Sequence, residues 1–257
     1  MSGPSPVARL FAAVDAALDR VQPMPWGAIV TDPRFPLIHD TNYARVDRGH
    51  GLSLDAVRRA LVPALHAAGV KTLHVATFDP VGSKRLLDDL EADGAKFTYD
   101  TAMRFAGPAP EPRARFRVEE LDPESLGFWE ELAELLPEMG VEGAALEQYL
   151  DWQRAVLVPF GKRWFGVRDG ERLLGVGALI VGEGVGYVDD IVTAPDARKQ
   201  GVASAVVTHI VREARSFVDE VYLLADEPDP IRLYGRLGFV EDGLAVGAVQ
   251  PLPGRGW

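Results

Sequence analysis

A short basic segment that contains a glycine, Arg198–Ala203, lies between two apolar runs of different periodicity. Tyr187–Val192 before it has the composition of a strand, and the apolar positions of Val202–Val218 recur with the period of a helix. This order predicts a strand, a tight loop and a helix N-terminus. The first turn of a helix leaves backbone N–H groups unpaired and carries the positive end of the helix dipole. We therefore expect the loop to bind a phosphate or pyrophosphate group, with Gly201 allowing close approach of the backbone and Arg198 adding a cation.

The pattern Arg-x-x-Gly-x-Ala in Arg198–Ala203 resembles the acyl-CoA pyrophosphate loop of the GNAT (GCN5-related) N-acetyltransferase superfamily. The segments around it strengthen the resemblance because they occur in the family's order. Tyr187–Val192 resembles the strand that leads into the loop, and Val221–Ala225 is predicted to form the next strand. Leu233–Phe239 resembles the family's LYxxLGF segment, in which the tyrosine is the usual general acid. A motif gains weight from the predicted structure around it.

The resemblance implies direct transfer of an acetyl group from acetyl-CoA, as co-substrate, to the amine of a small-molecule acceptor. It assigns proton donation to the leaving thiolate to Tyr234, for which the alternative is an aromatic side chain that only fills the core. Asp189 and Asp190 are adjacent on a predicted strand, so one should face the cleft and take up the amine proton, while the other is solvated. Which of the two is the base stays open. The resemblance assigns CoA binding to Ile191, Val192, Arg198, Lys199, Gln200, Gly201, Val202, Ala203 and Ser204.

One segment departs from the family's pattern. Between the strand Val221–Ala225 and Tyr234 the family often has an asparagine, whereas this chain has the acidic, proline-rich Asp226–Pro230. The departure keeps a second hypothesis open, in which the protein is an acyl-CoA-binding sensor or pseudoenzyme without turnover. Release of free CoA in the presence of an amine separates the two hypotheses.

Composition limits the other classes of function. The chain has 257 residues and no cysteine, and its five histidines have no i,i+4 spacing, so we expect no metal site. No apolar run is long enough to span a bilayer and no signal-peptide pattern is present, so we expect a cytoplasmic protein. The net charge of -11 lies entirely in residues 108–257. This acidity disfavours nucleic acid and anionic membranes as partners. We expect a monomer or a homodimer.

The predicted fold class is α/β, with two GNAT-type mixed sheets flanked by helices in tandem. Three prolines and a glycine in Ala106–Arg113 predict a linker at 108–113. It would separate a degenerate GNAT-like domain, 1–107, from a catalytic GNAT domain, 114–257. The first domain has Asp47–Asp55 where the second has its basic loop, and Asp55 at the helix start should repel a phosphate. The alternative is an unrelated α/β domain, since the order of strands and helices is shared by many folds.

Periodicity and turn signals predict the remaining elements. Helices are expected at Val7–Val21, Leu54–Ala68, Ser83–Ala92, Pro123–Leu136 and Gly143–Val158, and strands at Asn42–Val46, Thr72–Thr77, Phe97–Phe105, Phe116–Glu119, Lys162–Arg168 and Arg172–Val181. The last two strands should form a hairpin around Asp169-Gly170.

Overall fold

The computed structural model describes residues 4–108, 111 and 115–252. The chain divides into two compact units: unit 1 comprises Met1–Ala102 and Gly243–Trp257, and unit 2 comprises Met103–Asp242. These bounds differ from the domains expected from sequence, because Gly243–Trp257 groups with the N-terminal residues. The physical reason is strand pairing, since Val246–Pro251 pairs with Thr72–Thr77 of unit 1. Most of the expected linker, namely 109–110 and 112–113, lies outside the described residues.

Unit 1 contains helices on a mixed sheet. Its helices are α1 (Pro6–Asp15), α2 (Leu54–Ala67) and α3 (Lys84–Ala92), and its strands are β1 (Arg20–Met24), β2 (Gly27–Thr31), β3 (Tyr43–Val46), β4 (Thr72–Thr77), β5 (Lys96–Phe105, which ends in unit 2) and the second part of β11 (Phe239–Pro251). The strands β1 to β3 pair antiparallel, β3 pairs parallel with β4, and β4 pairs antiparallel with β11. Apolar residues of α2 and α3, among them Leu61 and Leu86, are buried in one cluster with Val75 of β4.

Most predicted elements of unit 1 are present, and β4 has the predicted bounds. The predicted helix Val7–Val21 is too long, because α1 ends at Asp15 and Arg20–Met24 is a strand. The hairpin of β1 and β2 explains the difference. Arg20 pairs with Thr31, and the Asp32 carboxylate accepts a hydrogen bond from the Asp19 backbone N–H at 3.2 Å.

A group of buried polar side chains lies between α1 and the sheet of unit 1. The Tyr43 hydroxyl donates to both oxygens of Asp15, at 3.0 and 3.1 Å, and Arg45 forms an ion pair with the same carboxylate. Burial nevertheless outweighs these partners and raises the pKa of Asp15 to about 7. His74 stacks on Tyr43, and burial lowers the pKa of His74 to about 4.

Unit 2 also combines parallel and antiparallel strands, with helices on both faces of these strands. Its remaining strands are β6 (Val118–Leu121), β7 (Arg163–Asp169), β8 (Arg172–Gly182), β9 (Val185–Thr193) and β10 (Glu220–Ala225), and its helices are α4 (Phe128–Leu135), α5 (Gly143–Trp152), α6 (Val158–Phe160), α7 (Val202–Ala214) and α8 (Pro228–Leu237). The order of these strands is β10-β9-β8-β7-β6, with only β9 and β10 parallel. Because successive strand residues point to opposite faces, Trp164 contacts Phe128 of α4, whereas Phe165 contacts His209 of α7.

The elements of unit 2 follow the prediction with shifted ends. The hairpin turns at Gly170, which has φ 60°, as its position in the turn requires. The helix expected at Pro123–Leu136 begins only at Phe128, because a turn held by the Asp122 carboxylate and carbonyl precedes it. The helix expected at Gly143–Val158 is α5, followed by a π-helical turn at Gln153–Leu157 and the short α6.

Candidate functional site

A β-bulge interrupts β9 at the predicted catalytic carboxylates. Asp189 pairs with Ala178 of β8 and Val192 pairs with Val176, so two residues of β9 lie opposite the single Gly177. Asp190, the first of the two, has φ 47°, in the left-handed region. A bulge of this kind changes the direction of the side chains that follow. The simple alternation expected from sequence therefore does not hold at Asp189 and Asp190.

Both carboxylates bind one lysine. The Lys162 ammonium donates to Oδ2 of Asp189 at 2.7 Å and to Oδ2 of Asp190 at 2.6 Å. The Tyr149 hydroxyl donates to Oδ1 of Asp190 at 2.6 Å, and Nζ of Lys162 lies 4.8 Å from the centroid of the Trp164 ring. The expectation that the second carboxylate is merely solvated is not met, because Asp190 is buried and both carboxylates bind Lys162.

The group is buried at one end and accessible at the other. The side chain of Lys162 has no exposed area, that of Asp190 is 6% exposed and that of Asp189 is 26% exposed. Burial raises the pKa of Asp190, and the charge of Asp189 raises it further, against the effects of Lys162 and Tyr149. Burial alone would lower the pKa of Lys162, but the two carboxylates outweigh it and raise that pKa above its usual value. Lys162 is therefore a charged ammonium at neutral pH.

The pairing of β9 with β10 ends before the bulge. The parallel pairing covers only three residue pairs and ends at Tyr187 with Tyr222. On its other side β9 remains paired with β8 as far as Thr193. The backbone of Ile191 and Val192 that faces β10 is therefore not used in pairing between these two strands, and an extended ligand can pair with it.

The loop after β9 and the start of α7 have the predicted form. A 3-10 turn, Pro195–Ala197, leads into the loop, and α7 begins at Val202 without a side-chain cap on its N-terminus. Lys199 has φ 59° and Gly201, at the N-cap, has φ 98°. A Cβ at Gly201 would find only Phe116 within 4 Å, at 3.9 Å, so the backbone angle and not a lack of space favours glycine here. The first-turn residues Val202 and Ser204 are buried.

Two polar side chains of this loop, those of Arg198 and Gln200, already have protein partners. Arg198 forms an ion pair with Glu138 and donates to the Thr193 carbonyl at 3.3 Å. The Gln200 amide donates to the Asp196 carbonyl at 2.8 Å. Arg115 donates to the Gln200 carbonyl at 3.3 Å, which brings a further cation to the loop. A phosphate at this loop therefore competes with Glu138 for Arg198.

Tyr234 lies on α8 with a buried ring. Its ring packs edge-on against Phe239, with centroids 6.1 Å apart, and its hydroxyl forms no hydrogen bond with any residue that the structure describes. Burial raises the pKa of Tyr234 to about 12. The phenol therefore keeps its proton at neutral pH, as a proton donor must, although it is a weaker acid than a solvated phenol.

The acidic segment before Tyr234 is exposed. Glu227 occupies the N-cap of α8, and Asp229 forms an ion pair with Arg232 one turn further along the helix. Arg232 thus has a carboxylate partner within its own helix. Trp164 and Phe165 are buried in the apolar cluster of unit 2, with Trp129 packed against that cluster, and Trp152 is also a buried side chain. Within the described ranges no group of three or more potential ligands could hold a metal ion, and no helix is long and apolar enough to cross a membrane.

Comparison with known proteins identifies the fold of both units. Residues 128–239 match the model of the acetyltransferase (GNAT) family, so this part of the chain is a GNAT domain. A comparison with curated proteins found no significant match. A GCN5-related N-acetyltransferase from Kribbella flavida is 15% identical, with a TM-score of 0.69 over 96% of this chain and 95% of that chain.

Two other solved structures share the fold. A functionally unknown conserved protein from Staphylococcus epidermidis is 12% identical, with a TM-score of 0.71 over 88% of this chain and 91% of that chain. A tandem GNAT protein from the clavulanic acid biosynthesis pathway is 17% identical, with a TM-score of 0.55 over 82% of this chain and 76% of that chain. These similarities extend beyond the matched domain, and the N-terminal half is also GNAT-like in fold. The predicted fold class, two GNAT-type units in tandem, is confirmed.

Sequence analysis missed Lys162, Tyr149 and Arg115. A signal for Lys162 was present, because it stands two residues before Trp164 and so lies on the same face of the sheet. A lysine on a buried face needs a carboxylate partner. Tyr149 and Arg115 had no such signal, since their contacts join residues 41 and 85 positions apart.

Proposed function

We propose that the protein is an acyl-CoA-dependent N-acyltransferase that transfers an acetyl group from acetyl-CoA to the amine of a small-molecule acceptor. The family of residues 128–239 supports acyl transfer at a general level. The observation that carries the proposal is the uncapped N-terminus of α7 directly after the part of β9 that has left β10. An uncapped helix N-terminus suits a pyrophosphate, and a free strand edge suits the amide groups of pantetheine.

In this proposal CoA binds through Ile191, Val192 and the loop residues Arg198–Ser204. The backbone N–H groups at the start of α7 hold the pyrophosphate, and Arg198 leaves Glu138 to bind it. The free edge of β9 holds the pantetheine arm and places the thioester near the bulge. The N–H groups there are fixed by the strand, so they stabilise negative charge on the thioester oxygen without first having to reorient.

The reaction forms a C–N bond and breaks the C–S bond of the thioester. The acceptor ammonium first loses a proton to the carboxylate group of β9, because only the neutral amine has a lone pair for attack. The nitrogen loses its second proton as the amide forms, and this proton restores the phenol of Tyr234 after that phenol has protonated the leaving thiolate, while the carboxylate group passes the first proton to water. The departing thiolate takes its proton from Tyr234, whose phenol is protonated at neutral pH. The net result is one amide, one CoA thiol and one proton released to water.

We propose that unit 1 has no CoA site of its own. In unit 1 the helix that corresponds to α7 is α2. Backbone N–H groups at the N-terminus of α2 already donate to acceptors within the protein. The Ser53 hydroxyl accepts from the Ala56 N–H at 3.4 Å, and the Asp89 carboxylate accepts from the Leu54 N–H at 3.2 Å. Asp55 adds a negative charge in the first turn. These groups disfavour a phosphate there.

The second candidate is an acyl-CoA-binding sensor without turnover. It is favoured by the exposed acidic segment Asp226–Asp229 and by the pairing of Arg198 with Glu138. Release of free thiol from acetyl-CoA, measured with a panel of aliphatic, aromatic and polyamine acceptors, distinguishes the candidates. The transferase gives thiol release that depends on one amine class and an acetylated product of matching mass. CoA binding without release under any amine would support the sensor.

A further inference from the structure

We propose that Asp189 is the carboxylate that receives the acceptor's proton, and that Lys162, Asp190 and Tyr149 are positioning residues. Lys162 binds Oδ2 of Asp189 and stabilises its charge, whereas Asp190, itself bound by Tyr149, holds Lys162 in place. The inference rests on the proposed function, because it concerns the acceptor side of the same site. Neither Lys162 nor Tyr149 was a candidate from sequence, and the choice between the two carboxylates was open.

The hydrogen bonds of Asp190 leave it unavailable to a substrate. Its Oδ1 accepts from Tyr149 and its Oδ2 accepts from Lys162, both at 2.6 Å. Its side chain is 6% exposed. A carboxylate with both oxygens bound inside the protein cannot also bind an incoming ammonium without first breaking one of these bonds.

Lys162 is equally fixed. Two of its N–H groups point to Asp189 and Asp190, and its ammonium lies over the ring of Trp164. Its side chain has no exposed area. Lys162 therefore does not exchange protons with a substrate, and its role is to supply a permanent charge between the two carboxylates.

Asp189 is the accessible member of the group. Its Oδ2 is held by Lys162, whereas no described residue donates a hydrogen bond to its Oδ1. Its side chain is 26% exposed. One oxygen is thus fixed by the protein and the other is open to a ligand, which is the arrangement that a general base requires.

The charges of the group define the class of acceptor. Two carboxylates share one ammonium, so the group carries one net negative charge when both carboxylates are ionised. An acceptor that arrives as a cation neutralises this charge, whereas an alcohol or a thiol does not. The geometry therefore points to an amine that is protonated at neutral pH.

Lys162 stabilises the ionised form of the carboxylate pair through its charge. The titratable groups that face Asp189 are Asp190 on β9, Lys162 directly before β7 and, through Asp190, Tyr149 on α5; its partner on β8 is Ala178. Without Lys162 the two carboxylates repel each other, and one of them keeps a proton at neutral pH. An opposite charge at this distance lowers a carboxyl pKa by about 1 to 3 units.

The test is a titration of the full-length protein with ¹³C-labelled aspartate side chains, followed by NMR, with Asp189→Asn for assignment. Lys162→Met should raise the apparent pKa of the carboxyl pair by about 1 to 3 units. Asp190→Asn, which leaves one carboxyl beside Lys162, should lower the apparent pKa below that of the wild-type pair, and Lys162→Met/Asp190→Asn should return the apparent pKa towards the wild-type value. Lys84→Met, which removes an exposed lysine paired with Asp88, is the control and should change nothing.

Either of two results overturns the inference. One is that the carboxyl pKa values are unchanged in Lys162→Met; the other is that Lys162→Met/Asp190→Asn raises the apparent carboxyl pKa as far as Lys162→Met alone. If Lys162→Met does not fold, the comparison of the double variant with Asp190→Asn measures the same charge effect. In the thiol-release assay, the acid limb of kcat/KM should move upward in Lys162→Met by the shift found by NMR. Wild-type protein that shows the NMR shifts but releases no thiol with any amine refutes the proposed function and leaves the charge network intact.

Discussion

Gly201→Glu tests whether the loop before α7 holds the pyrophosphate of CoA. Gly201 has φ 98°, so any L-residue there is strained, at a cost of about 1–2 kcal/mol in folding free energy. Within 4 Å a Cβ meets only Phe116, at 3.9 Å, so steric overlap adds little. We expect the melting temperature to fall by a few degrees, since about 1 kcal/mol corresponds to roughly 2–4 °C for a protein of this size.

The effect on CoA binding should be much larger. Two unit charges 4 Å apart repel each other by about 4 kcal/mol at an effective dielectric constant of about 20. A glutamate at Gly201 beside a bound pyrophosphate should therefore weaken CoA binding about 1000-fold. Calorimetric titration with CoA measures the affinity. Gly201→Gln, which adds bulk without charge, should retain part of it.

Gly127→Glu is the matched control. Gly127 is also an N-cap glycine of unit 2, with φ 88° and no atom within 4 Å of its Cβ position, but it begins α4 instead of α7. It should lower the melting temperature to a similar extent and leave CoA affinity unchanged. Retained CoA affinity in Gly201→Glu, or an equal loss in Gly127→Glu, would refute the assignment of the loop.

Three further results are expected. Calorimetry should give one CoA per chain, because the N-terminus of α2 is already occupied by Ser53 and Asp89; two equivalent sites would contradict this. Arg198→Ala should weaken CoA binding about 10-fold through loss of a charge-assisted hydrogen bond, and Arg198→Ala/Glu138→Ala should recover part of the loss. If Arg198→Ala binds CoA as tightly as the wild type, Arg198 pairs only with Glu138 and does not bind CoA. The pKa of Asp15, about 7, is raised above its unfolded value, so this carboxyl makes stability fall as pH rises from about 4 to 7. Thermal unfolding of Asp15→Asn over that range should lack this decrease, and parallel curves for the variant and the wild type would show that Asp15 ionises normally.

Strong local signals predicted much of the fold. The bounds of β4, the hairpin at Gly170 and the start of α7 followed from periodicity and turn chemistry. The hairpin of β1 and β2 was missed because Arg20–Met24 is mostly exposed and has no apolar alternation. Such a strand forms through pairing with its neighbour, which a local pattern does not contain.

The candidate site was predictable in position but not in geometry. The order of Tyr187–Val192, the basic loop and Tyr234 along the chain placed the site in unit 2. The positive φ of Asp190 arises from the register between β8 and β9, and that register is a property of two strands together. For the same reason Lys162, 27 residues before Asp189, was not assigned to the site.

The most direct test of acyl transfer at this site is the turnover of Tyr234→Phe with acetyl-CoA and the amine that gives the fastest thiol release. The variant keeps the ring that packs on Phe239 and removes only the hydroxyl, which has no hydrogen-bond partner among the described residues. CoA affinity should stay within a few-fold, while kcat falls about 100-fold or more, as for loss of a positioned proton donor. Undiminished kcat in Tyr234→Phe would contradict the account, because the phenol would then only fill the core.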